Sequence, residues 1–205
     1  MTEVKIKAAD VKELRERTGA AMMDCKAALT EAGGDPERAV EILRVKGQAS
    51  AAKRSGRSTG EGVISSYIHA NHRIGVLVEV QCETDFVARN DDFTSFAREI
   101  ALHVAAAAPR YVSAEEIPTE EVEAERAVFE QKAAGDGKPE NVRERIVEGQ
   151  LAKWRTGVAL LDQVHINADK HDGKTIETLR EEAATRTGEN IRIARFARFQ
   201  VGSED

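Results

Sequence analysis

Aromatic residues are scarce, at 4% of 205 residues, and the chain holds two cysteines and four prolines. A core with so few aromatics is built from Ala, Val, Ile and Leu. That suits helix packing and makes any exposed Phe informative. Cys25 and Cys82 stand far apart and fall in no CxxC or Cys/His ligand spacing, so a reducing cytosol is the simplest setting. No run approaches the roughly 18 to 20 apolar residues that a membrane span needs. The N-terminal MTEVKIKAADVKEL has no apolar signal core either, so the expected location is cytoplasmic, with no membrane contact. GxxxxGK[ST], GxGxxG and GxSxG are all missing, which leaves neither a nucleotide cradle nor a nucleophile elbow.

Positive charge is also in deficit. Thirty Lys and Arg face 36 Asp and Glu, a net charge of −6, whereas general nucleic-acid binding needs a clustered positive field. Residues 1–60 do carry 12 basic against 9 acidic residues, and Lys53-Arg54-Ser55-Gly56-Arg57 is locally basic. Three charges among Ser and Gly read as a solvated linker. No setting singles out a carboxylate for acid–base work. Of the histidines, His69 and His72 fall at a hairpin tip and His103 on a helix. His165 and His171 are six residues apart without a carboxylate-rich ligand set. No catalytic residue, metal site or cofactor is expected, and the chain reads as a binding protein and not an enzyme.

What is present is clear punctuation. Asp10 with Glu13 suggests a capping box, and Gly19 a left-handed helix end. A second helix over 22–32 buries Cys25, Leu29 and Ala32 and stops at Gly33-Gly34. Asp35 and Pro36 open a third helix, with Val40 and Leu43 facing inward. The spacing thus predicts a three-helix module over 1–50, a linker over 51–62 and an α+β domain over 63–205. That domain opens with a hairpin over 63–82 carrying Val76, Val78 and Val80 on one face. Asp91 or Asp92 caps a core helix bearing Phe93, Phe96, Ile100 and Val104, which Pro109 ends. A helical hairpin spans about 119–155 around GDGKP, VALLDQVHI reads as a strand, and a helix over 175–186 and a last strand in IRIARFARFQV close the chain.

Two runs invite contact with another protein. Adjacent helical positions differ by about 100°, so Met22 and Met23 cannot both point into so thin a core. They suit either an adaptable contact or plain boundary packing. Thr84-Asp85-Phe86-Val87 turns the chain between a strand and a helix. Phe86 there either stands exposed or folds back as a staple onto the next helix.

These runs, in VKELRERTGAAMMDCKAAL (11–29) and HANHRIGVLVEVQCETDFVARND (69–91), with KPENVRERIVEG (138–149) and IRIARFARFQVG (191–202), resemble the bacterial elongation factor Ts family. The resemblance covers the chain from end to end in order. It implies a small ubiquitin-associated-like bundle joined to an α+β core with an antiparallel sheet and a protruding helical hairpin. It also implies exchange of guanine nucleotide on elongation factor Tu. Thr84, Asp85, Phe86 and Val87 match the loop that enters the partner's GTPase domain and disturbs its magnesium site. Arg15, Met22 and Met23 match the bundle's contact with the same domain. Long family members carry a duplicated core, and this chain carries one copy, which implies a homodimer. The rival reading, an RNA-binding module, rests on the basic linker and on Arg192, Arg195 and Arg198. Those arginines alternate between the faces of a strand and form no single stripe.

Overall fold

The computed structural model describes residues 6–136 and 139–203. Met1 to Lys5, Gly137 and Lys138 of the expected interhelical turn, and Glu204-Asp205 lie outside the described residues. The fold is α+β. In chain order it comprises α1 (Ala8–Thr18), α2 (Met22–Glu31), α3 (Pro36–Arg54), β1 (Glu61–Ile68), β2 (Ile74–Cys82), α4 (Asp85–Ala88), α5 (Asp91–Ala107), α6 (Thr119–Gly135), α7 (Glu140–Val158), α8 (Ile176–Thr187) and β3 (Arg192–Gln200). The strands form one antiparallel sheet in the order β1-β2-β3. Among the described residues no helix is long and apolar enough to cross a membrane.

Two compact units share these elements. One comprises residues up to Val63, Val80–Phe96 and Leu179–Arg192; the other comprises Ile64–Glu79, Ala97–Thr178 and the chain from Ile193 on.

In the first unit, α1, α2 and α3 bury Val11, Leu14, Cys25, Leu29, Ala39 and Leu43 together. Gly19 ends α1 in the left-handed region (φ 69°), donating its N–H to Arg15 O, and Asp35 caps α3 by accepting from the Glu37 and Arg38 N–H groups. The cap of α1 differs from expectation. The helix starts before Asp10, whose carboxylate reaches back to the Lys7 N–H at 3.3 Å, because a first-turn Asp can serve the helix entry as well as an N-cap can. The expected linker is helical as far as Arg54. Its alanines are strong helix formers, and small residues let the helix lie close to α8: a Cβ on Gly47 would sit 3.0 Å from Thr185 Oγ1, and Arg54 donates to Ala184 O at 3.4 Å.

In the second unit, period-two alternation buries Val76 and Val78 on the inner face of β2. On that face Arg198 of β3 donates to Ala105 O near the end of α5. The outer face exposes Ile64, Ile68, Leu77 and Phe199. The cap of α5, which begins at the edge of the first unit, is Asn90, whose Oδ1 accepts from the Asp92 N–H at 2.8 Å; Asp91 and Asp92 are first-turn residues instead. The hairpin of α6 and α7 has its own small core of Ala133, Val147 and Leu151, flanked by Phe129 and Trp154.

VALLDQVHI is not a strand. It makes a 3₁₀ turn at Leu160–Asp162 and two single bridges, Tyr111 with Ala159 and Val164 with Thr175. Burial alternates over 163–166, with Gln163 and His165 inside and Val164 and Ile166 outside, but a strand also needs a neighbour along its length, and among the described residues this segment has one only at isolated points.

Candidate partner-binding site

Thr84 to Val87 leave the end of β2 and form most of a single helical turn, α4, more ordered than the open loop expected. Thr84 is its N-cap, accepting the Val87 N–H on its hydroxyl at 3.4 Å. Phe86 is 83% exposed, so the staple reading does not hold. An aromatic this far out of the fold contributes nothing to the core and leaves a large apolar surface in water. Thr84 is exposed, and Asp85 and Val87 are half-buried. Asp85 pairs with Arg89 at 2.8 Å on the surface, an ion pair worth little in stability.

The turn is held from behind. Glu189, just past the end of α8, accepts the Glu83 N–H (2.9 Å) and the Thr84 N–H (3.1 Å) on one oxygen and the Thr84 hydroxyl proton (2.6 Å) on the other. Glu83 returns the grip by accepting the Asn190 N–H at 2.6 Å. The buried Asn190 side chain then donates to Ser55 O and Arg57 O, tying down the chain after α3. Cys82 adds an S–H bond to Thr84 O at 3.2 Å. Burial, then the neighbouring Glu189, pushes its thiol up to about 11, so it is a poor nucleophile at neutral pH. Sequence reasoning missed this clamp because Glu83 and Glu189 are 106 residues apart. The one local signal is a polar Glu-Asn pair directly after the helix-ending Gly188.

Met22 and Met23 are the first two residues of α2 and are 42% and 73% exposed. Arg15 is exposed on the last turn of α1, across the short turn from them. This set and the Thr84–Val87 turn belong to the same compact unit.

The structure also gathers residues that the sequence keeps apart. Glu99, His165 and His171 bring their ligand-type atoms within 4.8 Å of one another. His103 stacks on His165. Tautomers decide what this cluster can do. His165 Nδ1 accepts the Asn167 N–H at 3.1 Å, and His103 Nδ1 accepts the Ile166 N–H at 3.0 Å. Each neutral ring therefore carries its proton on Nε2, facing Glu99 and Gln163 respectively, and offers no lone pair there to an ion. Burial raises Glu99, but the hydrogen bond and charge of Lys170, with help from His171, outweigh it and keep the carboxyl low. The cluster is a packed polar network.

Residues 37–203 match the family model described as elongation factor TS. The chain belongs to the elongation factor Ts family. It is 55% identical over 192 residues to elongation factor Ts of Carboxydothermus hydrogenoformans, covering 94% of this chain and 87% of that one. It is 50% identical over 199 residues to elongation factor Ts of Citrifermentans bemidjiense, covering 97% and 91%. Elongation factor Ts of Caldanaerobacter subterraneus subsp. tengcongensis is 52% identical over 197 residues, covering 96% and 97%. The name elongation factor Ts puts the chain in the elongation stage of protein synthesis. The Thr84–Val87 turn and its Glu83–Glu189 clamp both lie inside the matched region.

Proposed function

We propose that this chain is a guanine-nucleotide exchange factor for elongation factor Tu. It works in the cytoplasm with no cofactor and makes or breaks no covalent bond of its own. The observation that carries the reading is Phe86, fully presented on a turn whose backbone is fixed. The Thr84–Val87 turn enters the GTPase domain of the GDP-bound partner, where Phe86 wedges between side chains and disturbs the magnesium site. Arg15, Met22 and Met23, on a bundle read as ubiquitin-associated-like, touch the same domain on the side that influences its phosphate-binding loop.

The energetics need no catalytic group. A GTPase's switch segments are held by magnesium and phosphate, so a factor that prefers the nucleotide-free arrangement weakens GDP binding by the same coupling free energy. A hundredfold effect requires about 2.7 kcal/mol. Burying one aromatic and a pair of methionines is worth that much.

The partner in assembly is a second copy of the chain. The outer face of the sheet carries Ile64, Ile68, Leu77 and Phe199 in water, and a symmetric dimer covers such a face at once on both subunits. Direct RNA binding fits less well: Arg195 is paired with Glu79 at 2.7 Å, and Arg198 turns inward to Ala105 O. Stopped-flow release of fluorescent GDP from elongation factor Tu, comparing wild type with Phe86→Ala, tests the exchange reading.

A further inference from the structure

We propose that Glu189 is the positioning residue of the Thr84–Val87 turn, directing Phe86 outward through three hydrogen bonds to the backbone and hydroxyl at the turn's entry. The inference rests on the reading of Phe86 as the wedge.

Phe86 packs against so little of its own chain that side-chain contacts cannot aim it; the backbone must. A four-residue helix has no stability of its own, since nucleation costs more than one turn of hydrogen bonds returns. Within the turn, the Thr84 cap is long at 3.4 Å, and the Asp85–Arg89 pair is on the surface. The short, charge-assisted bonds come from outside, and they converge on one carboxylate. They also set the cap. By taking the Thr84 hydroxyl proton at 2.6 Å, Glu189 turns that oxygen's lone pairs toward the Val87 N–H. The reciprocal bond from the Asn190 N–H to Glu83 locks the two backbone segments in register. The direction of Phe86 is therefore set by where α8 ends, at Gly188 (φ 77°), more than 100 residues further along the chain.

Glu189→Gln tests this: its carbonyl can still accept the Glu83 and Thr84 N–H groups, but its NH₂ then faces the Thr84 hydroxyl, which must reverse from donor to acceptor, and the charge that strengthens all three bonds is lost. Two readouts separate the inference from the reading beneath it. Hydrogen exchange of the Glu83, Thr84 and Val87 amides in the free protein reports on the clamp, and release of fluorescent GDP from elongation factor Tu reports on the wedge. The expected result is faster exchange at those amides, with amides in α5 and the sheet unchanged. GDP release should slow about tenfold. Adding Phe86→Ala to Glu189→Gln should then slow release no further than Phe86→Ala alone. Glu189→Asp retracts the carboxylate by one methylene but keeps its charge, and should give a smaller slowing with the same coupling even where the Gln variant folds poorly. Wild-type release by both Glu189 variants while Phe86→Ala is slow overturns the positioning role and leaves the wedge intact. Additive slowing in the double variant overturns it too, because general damage to the fold would add. Wild-type release by Phe86→Ala removes the wedge, and with it any role of Glu189 in exchange, whatever the amides show.

Discussion

Replacing Met22 and Met23 together by Ala separates binding from folding. Both residues sit at the first turn of α2, 42% and 73% exposed, so neither contributes much to the bundle core of Leu14, Cys25 and Leu29. Ala is at least as good a helix former as Met, so α2 should keep its stability. Surface changes of this kind cost within about 0.5 kcal/mol, and the melting temperature should hardly move. Binding is another matter. Full burial of a Met side chain is worth about 1.5–3 kcal/mol, and the exposed portions here leave roughly 1 kcal/mol for Met22 and about 1.5 kcal/mol for Met23 to gain on contact. Their sum, about 2.5 kcal/mol, corresponds to a loss of roughly 50-fold or more in affinity. Isothermal titration calorimetry against nucleotide-free elongation factor Tu measures it directly, alongside a thermal melt of each protein. A change of less than twofold in Kd with an unchanged melt would refute the contact assigned to α2. A large fall in melting temperature would refute the claim that these side chains are idle in the free fold.

Leu77→Lys with Phe199→Lys places two charges on the outer face of the sheet and should convert a dimer to a monomer in light scattering; a monomeric wild type would remove the second copy altogether. Burial holds His103 below its ordinary value, opposed in part by its bond to Gln163, and burial followed by the charge of His171 does the same to His165. Unfolded imidazoles take up protons near about pH 6.5 while these do not. Stability is therefore complete above that pH and is lost as the pH falls through the folded values. His103→Gln keeps an acceptor for the Ile166 N–H but does not titrate, and should flatten the fall in melting temperature between pH 7.5 and 5.5; an unaltered slope contradicts this. A Cβ on Gly62 would stand 2.3 Å from Val80 O, so Gly62→Ala must push the two strands apart at a cost of about 1–3 kcal/mol, readable by denaturant titration.

Features with local causes were legible in the sequence. Gly19, Gly33-Gly34 and Asp35-Pro36 stop and start helices through their own backbone chemistry, and each does so in the fold. The alternation of Val76, Val78 and Val80 and the stripe of Phe93, Phe96, Ile100 and Val104 record which side of each element is dry. Features that depend on a distant neighbour were not legible. Gln163 and His165 are buried while Val164 and Ile166 are exposed, as in a strand, yet among the described residues no strand runs beside them. The end of α3 looks like a linker until α8 is there, with Thr185 against Gly47 and Ala184 O bonded to Arg54. The Thr84–Val87 turn could be placed between a strand and a helix, but whether Phe86 stands out or folds back is decided by its surroundings in the fold. The carboxylate that fixes its backbone comes from the far end of the chain.

The most direct measurement on the exchange mechanism is the rate of GDP release from elongation factor Tu, followed by stopped-flow fluorescence at saturating factor, for wild type and for Phe86→Ala. With Phe86 83% exposed and so available for burial, the side chain contributes about 2 kcal/mol, so the variant should accelerate release roughly 30-fold less than wild type while keeping its melting temperature. Release by Phe86→Ala at the wild-type rate would contradict the wedge.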